Sequence, residues 1–194
     1  MKRVQDHYFH QARREGFAAR SAYKLEQIDR RRKILRRRMR VLDLGCAPGS
    51  WLQYAAGRVA PAGRLVGVDL EPIGIDLPET VRLIQGDVFS LAPADLMGDG
   101  GPFDVILSDL APKTTGVPSA DAARSADLVR RALELSRTVL VPGGALLAKV
   151  FQGDEFPSLR QEFQSAFDKV TVEKPQASRA ESVELFLLGM GKHP

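Results

Sequence analysis

Four charged residues far apart in the chain, Lys24, Asp109, Lys149 and Glu184, have the side chains needed to orient and deprotonate a weakly acidic hydroxyl. Asp109 and Lys149 close apolar runs that read as adjacent parallel strands, Phe103 to Ser108 and Ala145 to Val150. Glu184 opens a run, Val183 to Gly189, that must travel the other way, so all three reach the same edge of one sheet. Lys24 belongs to a basic N-terminal helical stretch that has to fold over this edge for its ammonium to join them. A lysine amine accepts a proton only when its pKa falls, which burial and a neighbouring ammonium favour and carboxylates oppose. The balance among Lys24, Asp109 and Glu184 therefore sets what Lys149 can do.

A fifth segment, Asp43-Leu-Gly-Cys-Ala-Pro-Gly-Ser-Trp51, follows the first strand and leads into a helix, where an open α/β sheet places its ligand. The glycine spacing is G-x-x-x-G rather than the G-x-G-x-x-G of dinucleotide sites, so a nucleoside without a pyrophosphate fits better. Gly49 lets backbone approach such a ligand. Asp69 ends the second strand and Asp87 follows the third; there they can accept hydrogen bonds from ribose hydroxyls and an adenine amino group, respectively. Trp51 either borders the ligand or packs the following helix. Cys46 has no adjacent histidine and reads as a small turn residue, not a nucleophile.

The elements needed to hold these groups are legible. Arg40 to Leu44, Arg64 to Leu70 and Val81 to Gln85 join the two runs above as strands that are apolar almost throughout, the pattern of a parallel sheet covered on both faces. Trp51 to Val59, Ala120 to Leu140 and Phe156 to Phe167 have helical composition, and Pro142-Gly143-Gly144 reads as a turn feeding the fifth strand. Tyr8 to Leu35 predicts one or two amphipathic helices, and Lys169 to Glu173 with Val183 to Gly189 a terminal antiparallel hairpin. No repeat or low-complexity tract interrupts the pattern.

With 194 residues and 44% apolar content the chain fits one compact domain with an appendage. Its net charge of +4 conceals an asymmetry: residues 1–40 hold 14 of the 28 Lys and Arg but 4 of the 24 Asp and Glu, a balance of +10 against −6 for the remainder. Such a split points to a polyanion contacted through the N-terminal segment. A single cysteine rules out an internal disulfide, and with no apolar stretch long enough to span a bilayer a cytoplasmic protein is expected. His7, His10 and His193 lie near the termini, so no metal is expected.

Taken together, Ser21-Ala-Tyr-Lys-Leu25, the Asp43 to Trp51 loop, Leu107-Ser-Asp-Leu-Ala-Pro112, Leu147-Ala-Lys-Val-Phe-Gln-Gly153 and Ser182-Val-Glu-Leu-Phe186 resemble the FtsJ/RrmJ-type (RlmE) family of ribosomal RNA 2′-O-methyltransferases over nearly the whole chain. The resemblance implies a class I, Rossmann-like α/β fold with a seven-stranded sheet in the order 3-2-1-4-5-7-6, strand 7 antiparallel, plus a basic N-terminal helix. It implies a division into an RNA-binding extension, residues 1–38, and a catalytic domain, residues 39–194. The family's catalytic group falls on Lys24, Asp109, Lys149 and Glu184, with Lys149 as base. S-adenosyl-L-methionine is the implied cofactor, held by Gly49, Trp51, Asp69, Asp87 and Asp109.

The implied substrate is a uridine ribose of 23S ribosomal RNA, methylated on the large (50S) ribosomal subunit by a monomer. The alternatives are a transfer RNA anticodon-loop ribose, or a non-catalytic RNA-binding assembly factor. Exocyclic amines are a poorer match, because the Asn/Asp-Pro-Pro-aromatic loop that handles them is replaced by Asp109-Leu-Ala-Pro. Lys113 to Ser119 is a polar loop suited to folding over substrate. Glu181 and Val183 stand where family members often carry arginines, which implies weaker RNA contacts there.

Overall fold

The computed structural model describes residues 2–178 and 182–194, with residues 2–6 by backbone alone. The N-terminal stretch forms two helices, α1 (Lys2–Glu15) and α2 (Ala22–Arg32), parted at Gly16, which has φ +75°. The alternating unit then runs β1 (Arg40–Leu44), α3 (Ser50–Val59), β2 (Arg64–Asp69), β3 (Val81–Gln85), α4 (Pro93–Met97), a 3₁₀ turn (Gly98–Gly100), β4 (Phe103–Ser108), α5 (Pro118–Val139) and β5 (Leu140–Phe151). It ends with α6 (Phe156–Ala166), β6 (Phe167–Glu173) and β7 (Glu184–Lys192).

These strands form one sheet in the order β3-β2-β1-β4-β5-β7-β6. Strands β1 to β5 pair in parallel, and β7 runs antiparallel to both β5 and β6. The expected order and the reversed seventh strand are both present. Short apolar strands specify this because side chains alternate faces along each one. Leu42, Leu44, Leu146 and Ala148 point into a core closed by α5 and α6, while Val41, Val105, Leu147 and Phe186 point into one closed by α2 and α3. By the same alternation Asp43, Lys149 and Glu184 lie on the α2/α3 face.

Three local expectations change. Pro142-Gly143-Gly144 does not precede β5 but lies inside it: Phe103 pairs with Leu140 and Val105 with Ala145, so the extra residues form an irregularity that Gly143 absorbs at φ +79°. Helix α4 and its 3₁₀ extension, too short for periodicity to reveal, were not anticipated. Folding Lys24 over the catalytic edge implies that the basic segment as a whole lies beside the reaction centre, yet the part after α2 leaves that edge. Arg40 starts β1, whereas the glycine loop follows its other end, so Arg36 to Arg40 occupy the opposite end of the sheet.

Candidate active site

The turn after β1 is shaped by the chain it passes. Gly45 has φ +77°, and a Cβ there would stand 2.9 Å from the backbone of Leu110, so only glycine lets the loops after β1 and β4 come so close. Gly49, at φ +108°, caps α3 against Ile73 and Ile75. Asp69 binds the turn to the end of β2: Ala47 N donates to its Oδ2 at 2.8 Å and Glu71 N to its Oδ1 at 3.0 Å. Each oxygen keeps a further lone pair. Asp87 accepts from Phe89 N at 3.0 Å within a local turn.

Gly45, Ala47, Asp69, Asp87, Asp109 and Leu110 line a cavity of about 200 Å³ at the C-terminal ends of the strands. On the far side of Asp69 lies a second of about 230 Å³, with Cys46, Ile73 and Gln85 in its wall. Asp69, Asp87 and Asp109 are thus brought together, while Gly49 and Trp51 are in neither wall. The Trp51 indole is buried, donates from Nε1 to Ser21 O at 2.8 Å and lies 5.9 Å from the Phe186 ring. Of the two readings of Trp51, packing is what its contacts fit. Burial, then the charges of Asp43 and Asp69, push the Cys46 thiol far up, which keeps it protonated and fits its reading as a turn residue.

One residue was overlooked. Asp43 is fully buried, neither carboxylate oxygen has a hydrogen-bond partner among the described residues, and burial, then Asp109 and Asp69, hold its pKa well above the carboxylate range. A carboxylate inside the apolar run Arg40-Val-Leu-Asp-Leu44, inward by alternation, was the available signal.

The quartet resolves into two ion pairs. Lys149, 7% exposed, places Nζ 3.0 Å from Asp109 Oδ1 and donates to the Asp109 carbonyl at 2.6 Å. Lys24 Nζ lies 2.6 Å from Glu184 Oε1, which also accepts from Ser178 Oγ at 3.2 Å. The pairs are neighbours across the strand ladder: Lys149 stands opposite Phe186 and Phe151 opposite Glu184, which makes Lys149 and Glu184 a diagonal pair on one face. The Lys24 ammonium lies 6.0 Å from the centroid of the intervening Phe186 ring. Val183 is exposed; Glu181 lies outside the described residues.

This sheet order, with a ligand cavity at the strand ends beside a glycine turn, defines a class I, Rossmann-like methyltransferase fold. Solved structures agree on the fold: a ribosomal RNA methyltransferase of Plasmodium falciparum has a TM-score of 0.79 at 24% identity, covering 91% of this chain and 98% of that one. Aeropyrum pernix fibrillarin, solved with natively bound S-adenosyl-L-methionine, has a TM-score of 0.63 at 16% identity, covering 88% and 73%. A family model described as FtsJ-like methyltransferase matches residues 17–192, and the chain belongs to that family. It is 51% identical to the ribosomal RNA large subunit methyltransferase E of Syntrophobacter fumaroxidans, over 96% of this chain and 95% of the relative. To the protein of that name from Bdellovibrio bacteriovorus it is 44% identical, over 96% of each.

Proposed function

We propose that the protein methylates the 2′-hydroxyl of a uridine ribose in 23S ribosomal RNA on the 50S subunit, with S-adenosyl-L-methionine as donor. The observation that carries this reading is the buried Lys149, fixed by Asp109 beside the cavity at the strand ends. The names of the relatives, ribosomal RNA large subunit methyltransferase E, support the choice of RNA. Basic residues 1–38 then contact RNA and residues 39–194 carry the chemistry. Among the described residues no helix is long and apolar enough to cross a membrane, and no group of three or more His, Cys, Asp or Glu could hold a metal.

The residues suit the cofactor. Asp69 and Asp87 offer free lone pairs to hydroxyl and amino hydrogens around the cavity, and the orphaned Asp43 carboxylate beneath the turn is complementary to the ammonium of an amino-acid moiety. The cofactor supplies an electrophilic sulfonium methyl. The protein's part would be to hold the ribose oxygen in line with that methyl and, with Lys149 as the free amine, to take the hydroxyl proton at Nζ as the oxygen–carbon bond forms and the carbon–sulfur bond breaks to leave a neutral thioether. Asp109 orients that amine, Lys24 steadies the developing oxyanion or its flanking phosphate, and Glu184 anchors Lys24.

The experiment is methyl transfer from labelled donor to large-subunit RNA taken from cells lacking the protein, with the product mapped as ribose or base methylation. Lys149→Ala should abolish transfer and leave donor affinity within about twofold; near-normal turnover would refute Lys149 as base. A methyl group on a base, or on transfer RNA alone, would overturn the substrate assignment.

A further inference from the structure

The chain's strongest concentration of arginine is at the end of the sheet that the proposed reaction does not use. Arg40 and Arg64 open β1 and β2 side by side in register, and Arg82 enters from β3. The three line a cavity of about 370 Å³ whose wall includes the acids Glu79 and Asp99. Arg40 is turned inward: Nη2 donates to Met97 O at 3.3 Å, while Nε is buried with no partner among the described residues. Burial, countered by Asp104 and reinforced by Arg82, holds its pKa below the usual arginine value.

The segment that leads from α2 into Arg40 presents Lys33, Arg36, Arg37 and Arg38, all exposed. Its path is fixed, not loose: Arg38 N donates to Val59 O at 2.8 Å, and Arg37 Nε donates to Ala60 O at 3.3 Å. None of Lys33, Arg36, Arg37, Arg38 and Arg64 makes an ion pair with a described residue. The contrast with α2 is sharp, because Arg30 pairs with Glu26, and Arg31 and Arg32 pair with Glu173. At the β1/β2 end, Arg37, Arg40 and Arg82 likewise bond backbone carbonyls of Ala60, Met97, Asp95 and Leu96, whereas the side chains of Arg36, Arg38 and Arg64 bond no described residue and face solvent.

From this we infer that the β1/β2 starting end is a second RNA-backbone docking surface, in which Arg36, Arg38 and Arg64 engage phosphates of a substrate long enough to reach around from the transfer site. The inference rests on the RNA reading above and extends it. Strands of five and six residues put this end about 15 Å from the glycine turn. That is out of hydrogen-bond reach of the glycine turn and more than one screening length of about 8–10 Å through physiological salt, so binding is where loss of these exposed cations should be read first. Several exposed guanidiniums with no ion-pair partner among the described residues suit repeating phosphates, each of which a planar guanidinium can grip.

The test compares the parent with Arg36→Gln/Arg38→Gln/Arg64→Gln and with the corresponding triple lysine variant, measuring binding to deproteinised large-subunit ribosomal RNA and to a short oligouridylate across a salt series. The glutamine variant should bind long RNA about tenfold or more weakly at low salt, with a log–log salt slope shallower by about 2. The short RNA should show little difference, and the lysine variant should regain most of the slope. Equal affinity and slope for parent and glutamine variant would overturn the surface, as would a lysine variant as weak as the glutamine one. A loss seen on intact subunits and absent on naked RNA would assign the surface to a protein partner and sink the RNA assignment. Failure of the functional reading looks different: no ribose methylation by the parent on any RNA.

Discussion

Replacing Asp43 with Asn should stabilise the ligand-free protein while weakening its hold on the cofactor. The carboxylate is fully buried and both oxygens lack partners among the described residues. An unpaired buried polar group costs about 1–3 kcal/mol, and a charged one costs more. The amide retains the neutral part of that cost and removes the excess, a gain on the order of 1 kcal/mol, which for a domain of this size raises Tm by about 2–4 °C. The pH dependence has a definite sign. Asp43 has a raised pKa in the folded state, so the folded chain binds its proton more tightly than the unfolded chain does. Parent stability is therefore lost as pH rises from the unfolded value near 3.9 toward the raised folded one. The Asp43→Asn gain should be absent in acid, grow over that window and level off above it. Differential scanning calorimetry of both proteins across pH, with and without S-adenosyl-L-methionine, reads both halves. An unchanged or lowered Tm of the free variant at neutral pH would refute the charge argument, and an undiminished cofactor-induced shift would refute the proposed ammonium contact.

Glu184→Gln removes the partner of Lys24, a pair whose side chains are only 12% and 11% exposed. Turnover should fall by at least tenfold while donor affinity, measured by calorimetry, stays within about twofold; a matching loss of donor binding would instead place Glu184 in the cofactor's support. Gly45→Ala combines a positive φ with a 2.9 Å approach to Leu110, so a loss of about 1–3 kcal/mol and weakened donor binding are expected in denaturant melts. A variant as stable as the parent would show that the two loops are not held in that contact. Cys46→Ala should retain methyl transfer, since the thiol is buried and its pKa is pushed up; inactivity of a folded variant would contradict that.

The strands were readable because β1, β2, β4 and β5 are largely apolar runs between stretches of helical composition, whereas the order and the reversed seventh strand came from the family likeness. What failed is local. Pro142-Gly143-Gly144 carries turn chemistry, yet pairing of Leu140 with Phe103 keeps the backbone in the ladder around it. The pairs Lys149–Asp109 and Lys24–Glu184 were partly legible: strand ends placed three of the residues at one edge, but only the α2 packing shows that Lys24 takes Glu184 for itself. Asp43 escaped because a carboxylate in a strand resembles any ordinary loop acid until alternation and burial are read together. Of the basic segment, the part bearing Lys24 lies at the expected edge and only the stretch running into Arg40 does not, since net charge carries no direction and the start of β1 does.

Lys24 is held in place by the same helix that bears the cofactor turn. Ser21 Oγ and Ser50 Oγ are 2.7 Å apart, Trp51 Nε1 reaches Ser21 O, and Gln53 spans the α1–α2 break by donating to Gly16 O at 3.0 Å and accepting from Ala18 N at 2.8 Å. Farther along, Asp29 accepts from Leu35 N, Tyr54 Oη and Arg58 Nε, all at 2.9 Å, which locks α2 to α3 a second time. Leu25 and Ile28, fully buried, fill the space between these locks and each contribute about 2 kcal/mol. The start of α3 is also the wall behind the glycine turn. Two short hydrogen bonds therefore tie the start of α3 to Ser21, the residue just before α2 and one helical turn from Lys24, and the geometry links the wall of the glycine turn to the Lys24–Glu184 pair by direct contact.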